Sequence, residues 1–204
     1  MNNRKSGGRT LLLSVLMSAP GPLILGLGLL EGHSSTQIAD FVRRSAELLA
    51  IIMSFVVYRI TTGQGGCGEE KRVRLERRSN AFVGAMMCLG GFLMLVLAFV
   101  ADSEDKGNVI PALAIAVMGV IANTLFWRKY ARLNRADPNP ILAVQVRLYR
   151  AKSLVDGCVT LALLAVLLLP DSPASAWLDR IGSTVVAVYL VFCGMQTIRE
   201  RLEK

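Results

Sequence analysis

Histidine is almost missing from this chain: His33 is the single one among 204 residues. With no partner histidine there is no HExxH pair, and no serine or cysteine shares an apolar run with a histidine, so the chain is not expected to be an enzyme. Cysteine is scarce as well. Cys67, Cys88, Cys158 and Cys193 are dispersed without a CxxC spacing, three of them inside apolar runs where a free thiol behaves as a small hydrophobe, and they read as structural. There is no GxxxxGK[ST] loop, which excludes a bound nucleotide as an energy source and leaves an ion gradient or a substrate's own gradient. The net charge of +8 is never concentrated on one basic face, which argues against nucleic acid as a partner.

What the chain has in quantity is apolar sequence, 53% of its residues, gathered into long runs with a mean hydropathy of +0.48. A helix needs about 20 mostly apolar residues to cross a hydrocarbon core of roughly 30 Å. Residues 11–30, 81–101 and 109–127 meet that test at once. Residues 36–58, 140–169 and 176–196 meet it if their polar groups face protein or reach the interface. The connections alternate in charge: 31–35, 102–108 and 170–175 hold almost no cations, whereas Arg59, Lys71, Arg72, Arg74, Arg77 and Arg78 fill one intervening stretch and Arg128, Lys129, Arg132 and Arg135 the other. Arg4, Lys5, Arg9, Arg199, Arg201 and Lys204 flank the outermost runs. By the positive-inside rule all basic segments lie on the cytoplasmic side, which requires an even number of spans.

The expectation is therefore an all-α, multi-pass cell-membrane protein: a cytoplasmic tail at 1–10, a six-helix transmembrane bundle at 11–197, and a short cytoplasmic tail at 198–204 with no cytoplasmic domain. Its partner is the lipid bilayer. A cleavable leader at the N-terminus would leave an odd number of spans and break the alternation. Pro20 and Pro22 are expected to kink the first helix, and Gly26, Gly28, Gly84, Gly90 and Gly91 to permit close packing. Trp127, Tyr130 and Trp177 stand near span ends, where interfacial aromatics are common.

Ionisable groups inside spans are costly and so mark functional candidates. Asp40, Arg43, Arg44 and Glu47 share one face of the second span at i, i+3, i+4 and i+7, with Ser54 two turns on. Gln145, Tyr149, Lys152, Asp156 and Thr160 form a second polar stripe in the fifth. Each stripe repeats a cation four residues before an acid, Arg43 before Glu47 and Lys152 before Asp156, and antiparallel packing would bring both acids near the bilayer midplane. The alternative is two intrahelical ion pairs that only brace helices together, since burying an ion pair is weak evidence of function.

The phrases GHSSTQIADFVRRSAELLA and NPILAVQVRLYRAKSLVDGCV, set within six spans, resemble the second-helix entry and the fourth-to-fifth helix passage of the cation diffusion facilitator family. That resemblance covers essentially the whole chain. It implies a secondary transporter of divalent metal cations, an antiporter exchanging them with protons, assembled as a homodimer. The family's metal site places His or Asp four residues before Asp in helices two and five. Carried onto this sequence, the acids are Glu47 and Asp156 and the partner positions are Arg43 and Lys152. Arginine and lysine offer a metal no lone pair at ordinary pH, so a tetrahedral zinc site of the usual composition is not expected.

The two carboxylates, joined by Asp40 as a third candidate and modulated by Arg43, Lys152, Ser54, Gln145, Tyr149 and Thr160, would make an oxygen-rich site favouring Mn²⁺, Fe²⁺ or Mg²⁺ over Zn²⁺ as transported substrate, with no resident cofactor. The cations would hold the carboxylates in the empty site and swing aside as metal enters. The competing expectation is a non-transporting relative, with a salt-bridged brace in place of the metal site, that acts through a membrane partner. His33 beside Glu31, and Glu69 and Glu70 with Cys67, could gather metal too, but an exposed loop histidine is ordinarily just solvated, and the cation-rich stretch from Arg59 to Arg78 reads chiefly as an orientation signal and anionic-lipid contact.

Overall fold

Long helices follow directly from the apolar runs, and α-helix is the regular structure throughout the described residues of this computed structural model, which are 2–31, 35–63, 68–100, 109–168 and 173–199. The helices in chain order are α1 (Asn2–Ser18), α2 (Pro20–Glu31), α3 (Ser35–Thr62), α4 (Glu69–Val100), α5 (Val109–Ala136), α6 (Pro140–Leu168) and α7 (Pro173–Arg199). His33, Cys67 and the connection at 102–108 lie outside the described residues, as do the side chains of Asp40, Trp177, Asp179 and Arg180.

The first apolar run is split where the prolines predict. Pro20 has no N–H to give and its ring crowds the carbonyl four residues back, so α1 stops at Ser18 and α2 starts at Pro20. The ladder nonetheless continues across the break, through Ala19 N–H to Val15 O at 2.9 Å and Leu23 N–H to Ala19 O at 3.4 Å. On the basic side the helices run further than the apolar runs. Lys71 to Arg78, expected in a connection, lie on α4. Glu69 and Glu70 in its first turn complement the helix dipole, and i,i+4 pairs lace the polar stretch: Arg74 Nη2 donates to Glu70 Oε1 at 2.9 Å and Arg72 Nε to Glu76 Oε1 at 3.2 Å.

The most extensive packing joins α4 to α7 and α5 to α6, with α3 against α4 and α6 against α7. Small residues set the first of these contacts. A Cβ on Gly84 would sit 2.8 Å from Gly194 O, and one on Gly91 2.8 Å from Ala187 O, so the two backbones touch where glycine alone fits. Gly90 is different: it faces Arg43, with 3.6 Å of clearance to Cγ. Between α5 and α6 the chain turns through Asp137, Pro138 and Asn139. Asn139 Oδ1 accepts the Ile141 N–H at 2.9 Å, capping α6, and Pro140 takes the first helical position, where a missing donor costs nothing. That cap fixes where Lys152 and Asp156 fall along α6.

Leu11, Ile51, Val83, Met87, Ile141 and Leu148 are buried in one continuous core, while Leu23, Ile24, Leu27, Phe92, Ile115, Val185 and Phe192 point outward. Helices apolar on both faces suit a lipid surround. Among the described residues Phe41–Thr62, Glu69–Val96 and Ile181–Arg199 are long and apolar enough to cross a membrane.

Candidate cation site

α3, α5 and α6 and the α1/α2 break enclose a cavity of about 530 Å³. Its charged and amide lining is Arg43, Arg44 and Glu47 from α3, Asn123 from α5, and Lys152 and Asp156 from α6, with Ser18 beside them from α1. Both acids whose side chains are described among the sequence candidates, Glu47 and Asp156, therefore open on one space.

Glu47 is held by two cations, one on each oxygen. Arg43 Nη1 donates to Oε1 at 3.1 Å from one turn back on the same helix, and Lys152 Nζ lies 3.2 Å from Oε2 across the gap from α6. The three side chains keep only 13%, 13% and 14% of their surface exposed, for Arg43, Glu47 and Lys152. The Arg43–Glu47 pair is the one the i,i+4 spacing predicts. The corresponding pair on α6 does not form: Lys152 leaves Asp156 and crosses to Glu47, because its flexible four-carbon stem can reach the neighbouring helix and meet a carboxylate oxygen that Arg43 leaves open. The brace is thus one intrahelical and one interhelical contact rather than two intrahelical ones.

Asp156 is held by a neutral group instead. Asn123 Nδ2 donates to its Oδ2 at 2.6 Å, and one turn earlier on α5 Gly119 makes room, since a Cβ there would come within 2.6 Å of the same oxygen. A second α5 to α6 hydrogen bond, between Thr124 Oγ1 and Ser153 Oγ at 2.6 Å, steadies the pair. Neither Asn123 nor Gly119 is among the sequence candidates. The available signal was an amide in an otherwise apolar run, one turn after a glycine.

The remaining candidates divide. Tyr149 lies under Lys152, whose Nζ is 5.4 Å from the ring centroid, a cation–π contact. Its ring also packs against Phe126 at 5.1 Å and Tyr130 at 5.3 Å, an aromatic cluster that lies nearer the basic ends of α5 and α6 and does not itself line the cavity. Ser14 and Tyr130 hydroxyls meet at 2.8 Å and tie α1 to that cluster. Ser54 and Gln145 make their own buried α3 to α6 tie, Gln145 Nε2 donating to Ser54 Oγ at 2.8 Å, two turns from Glu47. Thr160 Oγ1 donates back to Asp156 O at 2.7 Å and does not line the cavity. Asp40 belongs to α3, with its side chain outside the described residues.

Among the described residues no three His, Cys, Asp or Glu side chains gather as a metal cluster. What the cavity offers is two carboxylates on facing helices, an amide against one, and two cations against the other. A lipid-facing helical bundle with such a pair inside it is matched, over residues 11–204, by the family described as the cation efflux transmembrane domain. The chain belongs to the cation efflux family. Members of that family are membrane transporters of cations rather than enzymes, and this chain is a cation transporter of that kind. Compared one protein at a time, it matches no curated protein at a significant level.

Proposed function

We propose that the chain carries a divalent metal cation through a six-span bundle with both termini cytoplasmic, in exchange for protons, using Glu47 and Asp156 as ligands and Lys152 as a built-in cation that the substrate displaces. The observation that carries this reading is that both carboxylates open on one cavity while Lys152 neutralises only one of them. Lys152 is the second cation on Glu47, and its place at Oε2 is the one an incoming metal would take. In the empty site Lys152 sits against Glu47. An entering dication bridges Glu47 and Asp156 and repels the ammonium toward the Tyr149 ring, where the cation–π contact already holds it nearby. Protonation of a carboxylate on the far side of the cycle weakens the metal, and the returning ammonium completes its release.

The cavity lining includes Ser18, Gly21, Ile115, Val159 and Leu163, all toward the helix ends that lack basic residues, whereas the Phe126, Tyr130 and Tyr149 cluster lies nearer the basic ends. With basic ends cytoplasmic, this is a site open outward and closed inward. Oxygen donors favour Mn²⁺, Fe²⁺ or Mg²⁺ over Zn²⁺. A homodimer is the assembly we expect.

A second reading is supported by the two cations on Glu47, which would also suit a non-transporting brace that acts through a membrane partner. Binding separates the two. Titrating Mn²⁺ into the purified protein, with free Mn²⁺ followed by electron paramagnetic resonance, should show saturable uptake that Mg²⁺ or Fe²⁺ competes away and that Asp156→Asn abolishes. A well-folded protein that takes up none of these ions favours the brace.

A further inference from the structure

A second cavity, of about 380 Å³, lies outside the cation site, as a groove between α1 and α5. Leu13 and Met17 on α1 face Met118, Ile121 and Leu125 on α5, and Lys129 closes one end. These apolar side chains are exposed, so the groove opens sideways from the bundle. From the sequence and structure together we infer that it is a binding site for one acyl chain of an anionic glycerophospholipid, with the headgroup held by Arg9, Lys129 and Arg132.

Three observations point to a lipid. The first is length. Met118 to Lys129 covers about 16 Å at the rise of an α-helix, roughly the depth of one leaflet of a 30 Å hydrocarbon core, whereas a partner helix would need a face running the full thickness. The second is charge at one end only. Tyr130 on α5 meets Ser14 on α1 at 2.8 Å, which sets the register of these antiparallel helices. Lys129 is therefore level with Val15, within one turn of Leu13. Arg9, one turn before Leu13, and Arg132, one turn after Lys129, extend past the same end, both exposed. None of the three has an ion-pair partner among the described residues. Cations just beyond an apolar run attract anionic headgroups, about fivefold in binding for each one near the surface. The third is position. Met17 and Ala122 line this groove and the cation cavity alike, so an occupying chain backs the wall of the transport site. The site stands independently of cation transport and uses the orientation proposed above only to name the leaflet as cytoplasmic.

Photo-crosslinking in nanodiscs tests this without any transport readout. The probe is phosphatidylglycerol carrying a diazirine in its acyl chain, with phosphatidylcholine bearing the same label as control. Crosslinks from phosphatidylglycerol should concentrate on residues 11–18 and 118–129 and be competed by unlabelled phosphatidylglycerol but not phosphatidylcholine. Arg9→Gln, Lys129→Gln and Arg132→Gln should each weaken the preference about fivefold. Ile121→Trp, which fills the groove without touching a charge, should remove the crosslinks there and leave those elsewhere. Equal labelling by both lipids, or labelling spread evenly around the bundle in monodisperse protein, would overturn the assignment.

Discussion

At Glu47 one carboxylate meets two cations, and at Asp156 one carboxylate meets an amide; this difference predicts different behaviour on neutralisation. Glu47→Gln leaves Arg43 and Lys152 facing each other in a largely buried space, and breaking such a pair by removing one partner costs about 3–5 kcal/mol. The variant should therefore melt clearly below the parent in a detergent thermal-shift assay. Asp156→Asn keeps an oxygen for Asn123 Nδ2 to donate to, so its melting should stay within about 1 kcal/mol of the parent while metal binding is lost. If both variants unfold alike, the two acids form one structural brace and the proposed division of roles is wrong. On the proposed reading Asn123 would act on the metal through Asp156, and removing an outer partner of a ligand typically weakens affinity 10–100-fold. Asn123→Ala should thus raise the Mn²⁺ dissociation constant by about that factor, with Asn123→Gln recovering little because the amide would be displaced from its 2.6 Å contact. An unchanged dissociation constant would place Asn123 outside the site.

Among elements, the α4 and α7 pair depends on glycines in a way that neighbouring positions do not. Gly84→Ala puts a methyl 2.8 Å from Gly194 O, a backbone atom with little freedom to yield, and should separate the helices and lower yield and melting temperature. Gly90→Ala meets only Arg43 Cγ at 3.6 Å and should be tolerated. Equal losses in both variants, by size-exclusion profile and thermal shift, would contradict close backbone contact as the source of stability. The apolar runs made these helices legible, and Pro20 announced the break in the first of them. The polar extension of α4 was not legible from hydropathy, because Lys71 to Arg78 carry no apolar stripe and are held helical by i,i+4 pairs from Glu70 and to Glu76. In the site, spacing along α3 revealed Arg43 with Glu47. Spacing along α6 could not reveal that Lys152 crosses to another helix, since a one-dimensional pattern holds only what a side chain can reach on its own turn.

For the whole molecule, the basic ends gather on one side, while the cavity lining extends toward the helix ends that lack basic residues. Lys71 is exposed near the start of α4, so Lys71→Cys in a cysteine-free background should react with a membrane-impermeant maleimide only in inverted vesicles. Labelling from outside intact cells would reverse the orientation, and with it the proposed inward-closed state of the site. On the proposed reading the cycle is a contest between two cations, an ammonium that belongs to the protein and a dication that does not. The most direct measurement is flux: purified protein in liposomes holding a metal-responsive dye, given a pH gradient and Mn²⁺ outside, beside Asp156→Asn. Uptake that follows the gradient and disappears in Asp156→Asn, a variant that stays folded, is the result the account predicts; no uptake by folded parent protein, or equal uptake by the variant, contradicts it.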